Sequence, residues 1–297
     1  MKALHQTIIW VLTGMSALLF VANCQAGSTV EQNRTLAADG LVQVDNLAGS
    51  IDFTVWDKAE VGISGELGDD VEELEILESS SGIQIRVRNR RNQRNVEDTH
   101  LRLQVPVAAS VEAESVSADI SLNGLRGGSI VFNSVSGDLL VDADVPRVEM
   151  ESVSGDVTFR GATSRAEVET ISGEIDLQGM EGEIMISTVS GDVKLSGNRV
   201  DRGRFETVSG DLDLQLNVLD GGRVKAQSMS GDVSLTLPAG QQAEYTAQTY
   251  SGEIRSDFGT ATTESQGAGS SLSWREASNG ATIEIESFSG DIHITGQ

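Results

Sequence analysis

A single cysteine, Cys24, stands in the chain, so no internal disulfide can staple the fold. Proline is almost missing as well, with 3 in 297 residues, and little interrupts extended runs. Aromatic residues make up 4%, so a core must be built from aliphatic and small side chains. The histidines are His5, His100 and His293 alone, which leaves no Cys/His cluster for zinc and no histidine paired in the sequence with a serine nucleophile. Basic residues are scarce: 21 Lys and Arg stand against 45 Asp and Glu, a formal charge of -24. That balance argues against nucleic acid and against adsorption to anionic lipid, both of which call for basic patches. A phosphate loop is missing too, because Gly124, Gly127 and Gly128 lack a following Lys-Ser/Thr.

What the sequence does hold is a repeat. Glu151-Ser152-Val153-Ser154-Gly155-Asp156-Val157-Thr158-Phe159 recurs with little change of register, and hydrophobic residues at 38% suffice for a shared core. Counting from Ala118, the glycine column steps by 19, 18, 18, 18, 19, 21, 21 and 38 residues through Gly137, Gly155, Gly173, Gly191, Gly210, Gly231, Gly252 and Gly290. A fixed period near 20 marks stacked supersecondary units. With the Ser before this glycine taken as position 0, positions -6 and -4 are apolar (Val148, Met150), and -2 is Ser or Thr throughout. Position -1 is always apolar, +2 is Asp or Glu, and +3 and +5 are apolar (Val157, Phe159). A second glycine column stands at +7 in Gly124, Gly161, Gly179, Gly197 and Gly296.

Period-2 alternation puts -6, -4 and -2 on one face of one strand, and +3 and +5 on one face of a second. Each repeat is thus a coil of two short strands and two glycine turns. Because apolar positions do not recur every six residues, the left-handed hexapeptide form does not fit. Parallel crossovers are overwhelmingly right-handed. The expected fold class is therefore all-β, a single-stranded parallel β-solenoid of the right-handed β-helix kind, with 18–21 residues per coil. The Ser/Thr column is expected to form an inward hydroxyl ladder, and the glycine turns to need φ > 0.

The array has a forerunner in residues 41–53, where Gly49 follows an alternating run. Period-2 strands are also expected around Ala59–Ile63, Leu74–Leu77, Gly82–Arg88 and Leu101–Val105, the last stopped by Pro106. The basic loop with Arg90, Arg91 and Arg94 reads as a solvated turn. Residues 1–26 read as a secretory signal, with an apolar run from Ile8 to Ala22 and Cys24-Gln25-Ala26 before the cut. Lipidation of Cys24 is the competing reading, although Asn23 before it suits a lipobox poorly. The run is short for a permanent span. The chain then divides into residues 1–26 as the leader, 27–106 as an N-terminal β region that begins the solenoid, and 107–297 as the repeat solenoid. A loop insertion is expected near 257–280, and the array is expected to stop at Gln297, leaving an edge unless something covers it.

The acidic +2 column (Asp119, Asp138, Asp156, Glu174, Asp192, Asp211, Asp232, Glu253, Asp291) and the acids at -3 admit two readings. Carboxylates can satisfy turn N–H groups and keep a long sheet soluble, or they can form a weak divalent-cation stripe. The first is preferred. No carboxylate stands out from the repeat as a catalytic pair. No catalytic, cofactor-binding or metal-binding residue is therefore singled out, and no cofactor is expected.

Three features together, namely Gly49-Ser50-Ile51-Asp52-Phe53-Thr54-Val55-Trp56-Asp57, Leu101-Arg102-Leu103-Gln104-Val105-Pro106 and the serial Ser-Gly-Asp array, resemble the DUF4097 family of bacterial envelope proteins, described as adhesin-like. The resemblance covers residues 35–297 and implies a β-solenoid, an exported or envelope location and no established catalysis. It carries over no catalytic residue. The expectation is a non-catalytic envelope scaffold, periplasmic or secreted, that meets an envelope protein or glycan. The alternative is a polysaccharide-active β-helix enzyme that uses surface carboxylates.

Overall fold

The computed structural model describes residues 18–23, 29–90, 96–263, 269–275 and 280–297. Cys24 and the rest of the expected leader outside 18–23 lie beyond the described residues, as do Arg91 and Arg94. Among the described residues the chain is all-β, a solenoid-like repeat of strands. Two parallel ladders run side by side. In one, Val148 pairs with Ala166 and Ala166 with Ile184. In the other, Leu139 pairs with Val157, then Ile175, Val193 and Leu212. Sequence neighbours one period apart are thus spatial neighbours one strand apart.

The alternation decides which side chains face in. The +3 column of Ile120, Leu139, Val157, Ile175, Val193, Leu212 and Val233 is buried. So is the -4 column of Ala113, Phe132, Met150, Val168, Ile186, Phe205 and Ala226. Volumes compensate along the stack: Phe205 covers Gly203, where a Cβ would meet the ring at 2.8 Å, and Phe53 stacks on Phe132 with centroids 5.9 Å apart. Coils longer than 18 residues place their extra residues in bulges, between Leu195 and Asn198 and between Val200 and Arg202, and the core registers stay aligned.

The coils are not stacked in sequence order. The last strands, Ala281–Ser289 and Ile292–Gly296, lie inside the stack. Ala281–Ser289 pairs with Leu212–Ser230 on one side and Ala243–Ser251 on the other, and Ile292–Gly296 lies between Val233–Leu237 and Ile254–Ser256. The strand that ends beside Gln297 is therefore paired on both sides, and the edge lies elsewhere. The 38-residue step carries the chain out to the end of the stack and back. Within it Ser270–Arg275 runs antiparallel on Ala243–Ser251 and covers that edge. The other end is built in the same way. Leu41–Trp56 lies between Ser110–Arg126 and the pair Gly82–Asn89 and Thr99–Pro106. Val71–Glu78 and Glu60–Glu66 then continue these edges in antiparallel fashion, and Leu18–Asn23 and Thr29–Thr35 pair antiparallel outside them in turn.

The glycines serve a different purpose from the expected one. Of the first column only Gly49 has positive φ, at 106°. The others are glycine because the coils nearly touch: a Cβ on Gly173 would lie 1.9 Å from the Gly155 carbonyl oxygen, and one on Gly155 2.0 Å from that of Gly137. Positive φ belongs to the second column, at Gly124, Gly161, Gly179 and Gly197.

Candidate functional site

Seven of the turns after position 0 share one carboxylate contact. Asp138 donates its backbone N–H to Asp119 Oδ1 at 3.0 Å, Asp156 to Asp138 at 2.9 Å and Glu174 to Asp156 at 2.9 Å. Asp211 does so to Asp192, Asp232 to Asp211, Asp291 to Asp232 and Glu253 to Asp291, at 2.8–2.9 Å. The order of these bonds repeats the shuffled order of the coils. One oxygen of each Asp in this chain of bonds is thus engaged by the next coil, which is the turn-chemistry reading of the acidic column. Among the described residues no group of three or more His, Cys, Asp or Glu side chains is placed to hold a metal ion.

The serines of Ser-Gly-Asp are spent in the same manner. Ser136, Ser154, Ser172 and Ser190 donate their hydroxyls to the carbonyls of Val116, Val135, Val153 and Ile171, at 3.0–3.3 Å. The -2 hydroxyls face inward as expected, yet they form a hydroxyl ladder only at Ser115 and Ser134, 3.0 Å apart. Ser134, Ser152, Thr170 and Thr188 instead accept the glycine N–H of their own turn at 2.9–3.1 Å. One serine does meet a histidine: Ser50 Oγ lies 3.1 Å from His100 Nδ1. Asp52 contacts that serine, at 3.4 Å, and not the imidazole, so the three do not form a relay in which a carboxylate orients the base.

The feature that sequence reading missed is position -1. Its side chains were identified as apolar but not as outward. Val116, Val135, Val153, Ile171, Val189, Val208, Met229, Phe288 and Tyr250, in their order along the stack, are 40–59% exposed. Leu47 stands before them, partly buried. Period 2 already contains the signal: -2 faces in, so -1 faces out. The column follows the backbone ladder closely, since the Val135, Val153, Ile171, Val189 and Val208 carbonyls each accept a Ser N–H from the next coil. Ten residues in nine steps of about 4.8 Å make a continuous apolar ridge roughly 43 Å long. Isolated exposed hydrophobes need no explanation, but a contiguous row rimmed by polar groups marks an interaction surface.

Carboxylates flank the ridge. On the -3 side stand Asp45, Glu114, Glu151, Glu169, Glu206 and Glu286, and on the other side the +2 column. The Glu151 carboxyl is pushed above its ordinary value by partial burial and then by Glu169, Glu149 and Glu167. Glu114 is raised in the same direction, by burial first and then by Asp45 and Glu112, against Arg86. At the C-terminal end of the stack the ridge becomes Met229, Phe288 and Tyr250, and a cleft of about 480 Å³ opens beside it. Glu206, Gln227, Gln248 and Glu286 line its rim, and Thr207, Ser228 and Ser287 its floor. The Phe288 and Tyr250 rings stack with centroids 5.1 Å apart and an interplanar angle of 6°.

The sequence profile of the family described as Toastrack DUF4097 matches residues 42–295. No curated protein matches the chain. Among solved structures, a "putative adhesin" from Parabacteroides merdae is similar with a TM-score of 0.56 at 14% identity, over 91% of this chain and 98% of that one. A protein of the same description from Parabacteroides distasonis gives a TM-score of 0.53 at 13% identity, over 91% and 98%. At such identity the likeness is one of fold.

Proposed function

The chain belongs to the Toastrack DUF4097 family, and from that premise we propose that it is a non-catalytic, exported envelope protein that works as an adhesin-like interaction scaffold. In this reading residues 1–26 direct export to the periplasm or beyond, residues 27–106 are an N-terminal β region that begins the solenoid, and residues 107–297 form the right-handed repeat solenoid. The observation that carries the proposal is the outward -1 column. Nothing in the fold requires Val, Ile, Met, Phe and Tyr there, because the core is already complete on the inward positions. Keeping an apolar residue in an exposed position in every coil costs solubility, and a binding surface accounts for it. The adhesin name of the two similar structures agrees with this reading. Catalysis finds less support: the hydroxyls of Ser136, Ser154, Ser172 and Ser190 and one oxygen of each Asp that links successive turns are committed to backbone hydrogen bonds.

The test compares the full chain with the triple variant Val153→Thr, Ile171→Thr, Val189→Thr, each immobilised and exposed to solubilised envelope material. Thr keeps the β-branched shape, so the fold is retained while the ridge becomes polar. The wild-type protein is expected to retain a saturable component that the variant does not. Equal retention by both contradicts the proposal, as does turnover of an envelope glycan that disappears on changing one carboxylate.

A further inference from the structure

We propose that the apolar ridge and its C-terminal cleft are a docking groove for an extended polypeptide segment that is both apolar and basic. Its apolar side chains lie on the -1 column and its Lys or Arg side chains reach the flanking carboxylates. This deepens the scaffold reading and rests on it. The choice of partner follows from what borders the ridge. Glu151 and Glu169 stand beside Val153 and Ile171, with Glu167 next to them. Among the described residues these three carboxylates form no ion pair, while Glu149 is paired with Arg147. The Glu151 carboxyl is raised first by its partial burial and then by Glu169, Glu149 and Glu167, so the neighbouring carboxylates add a negative field at the middle of the ridge. A cation brought by a partner relieves that field, and an anion deepens it.

The same frame discriminates among occupants. A second copy of this chain would bring two acidic borders together. An anionic membrane or a nucleic acid is repelled. A neutral glycan wants open aromatic faces, whereas the ridge is aliphatic from Val116 to Val208, and Phe288 and Tyr250 turn faces toward each other. A peptide uses what is present: aliphatic knobs, the adaptable Met229, aromatic edges and, along the middle of the ridge, the carboxylates of Glu151, Glu167 and Glu169. Glu206 and Glu286 at the cleft, by contrast, are already paired with Arg204 and Lys225. On the cleft floor the hydroxyls of Thr207, Ser228 and Ser287 are buried without a hydrogen-bond partner among the described residues, unlike their counterparts in the four central coils. An extended segment of about twelve residues spans roughly 40 Å, close to the ridge length.

The probe is a fluorescein-labelled twelve-residue peptide, Lys-Lys-Val-Val three times over, so that one face of the extended chain carries both residue types, followed by anisotropy as the full chain is titrated. The control replaces every Lys with Glu. Two charge-neutral variants are compared, Met229→Thr with Phe288→Thr, and the Val153, Ile171 and Val189 triple change. Saturable binding to wild type is expected, weakening as NaCl is raised, and about tenfold weaker for whichever variants keep the wild-type melting curve, as truncation of apolar anchors gives. Binding of the Lys/Val peptide that is unchanged in folded variants means charge alone, and overturns the proposal. Equal binding of the Glu/Val peptide means apolarity alone, and overturns it too. If neither peptide binds while the triple variant still loses envelope material, the scaffold reading stands and this inference falls. Preference for phosphatidylcholine vesicles over the peptide also sinks it.

Discussion

At the scale of single residues, the two glycine columns separate two meanings of the same residue. Gly173 has ordinary φ but almost no room, and Gly197 has φ of 69° with nothing within 4 Å of a Cβ. Gly197→Ala should therefore cost about 1 kcal/mol of backbone strain. Gly173→Ala must push two coils apart against ladder bonds on both sides, and its loss should be several times larger. Urea midpoints of the two variants check this, and equal midpoints would refute it. The sequence displays both columns without distinguishing them, because spacing reports where glycine is required and not whether sterics or φ requires it. Ala118 fits the steric account: its partner Gly49 is the member of the column with positive φ, so the coil beneath it is set differently. The Glu151 carboxyl gives a second residue-level expectation. Its pKa is raised in the folded chain above its ordinary value of 4.5, so the folded state holds the proton more tightly than the unfolded state. The stabilisation is present below the unfolded value and is lost as pH rises through the folded one. Glu151→Gln should therefore melt higher than wild type at pH 7, with the gain fading as pH falls through the raised folded value and gone below the ordinary value of 4.5. A gain that persists unchanged in acid would point to a cause other than charge.

At the scale of the element, the coil is legible and its surfaces are not. Inward positions -6, -4, +3 and +5 follow from alternation alone, and the structure buries Val148, Met150, Val157 and Phe159 as that pattern requires. The +2 acids were legible as turn residues, but their partner lies one coil away, and a hydrogen bond between coils has no signature within one repeat. Asp156 accepts the Glu174 N–H and donates its own to Asp138. Asp156→Ala should cost about 1 kcal/mol, and Asp156→Asn, which keeps the Oδ1 acceptor, much less. Chelator should leave both differences unchanged. Thermal melts with and without EDTA decide between turn chemistry and a cation stripe. Loss of wild-type stability in chelator, with Asn as damaging as Ala, would favour the cation. Position -1 was read as apolar and no further, because hydrophobicity usually signals burial and only its parity against the buried -2 column shows that it points out.

At the scale of the whole molecule, the sequence period predicts stacking but cannot give its order. Gly231 and Gly252 are 21 residues apart, as Gly210 and Gly231 are, so the coil with Tyr250 carries every column needed to stack directly on the coil with Met229. The structure places the last coil between them, which brings Phe288 beside Tyr250 and Met229 and makes the aromatic end of the ridge. The candidate cleft is thus a product of the out-of-order coil, and for that reason no sequence window contains it. Both ends of the stack follow this plan, with a terminal coil drawn inward and an excursion covering the edge. The central claim is that the ridge is the working surface. Hydroxyl-radical footprinting of the full chain, alone and with envelope material, tests it most directly, because Met229, Phe288 and Tyr250 are exposed, oxidisable and on the ridge. Trp56, which lies at the other end beside Lys58, serves as the internal reference. Protection of Met229, Phe288 and Tyr250 with Trp56 unchanged is the predicted result, and protection of Trp56 with the three ridge residues still oxidised at their free rate would contradict the account.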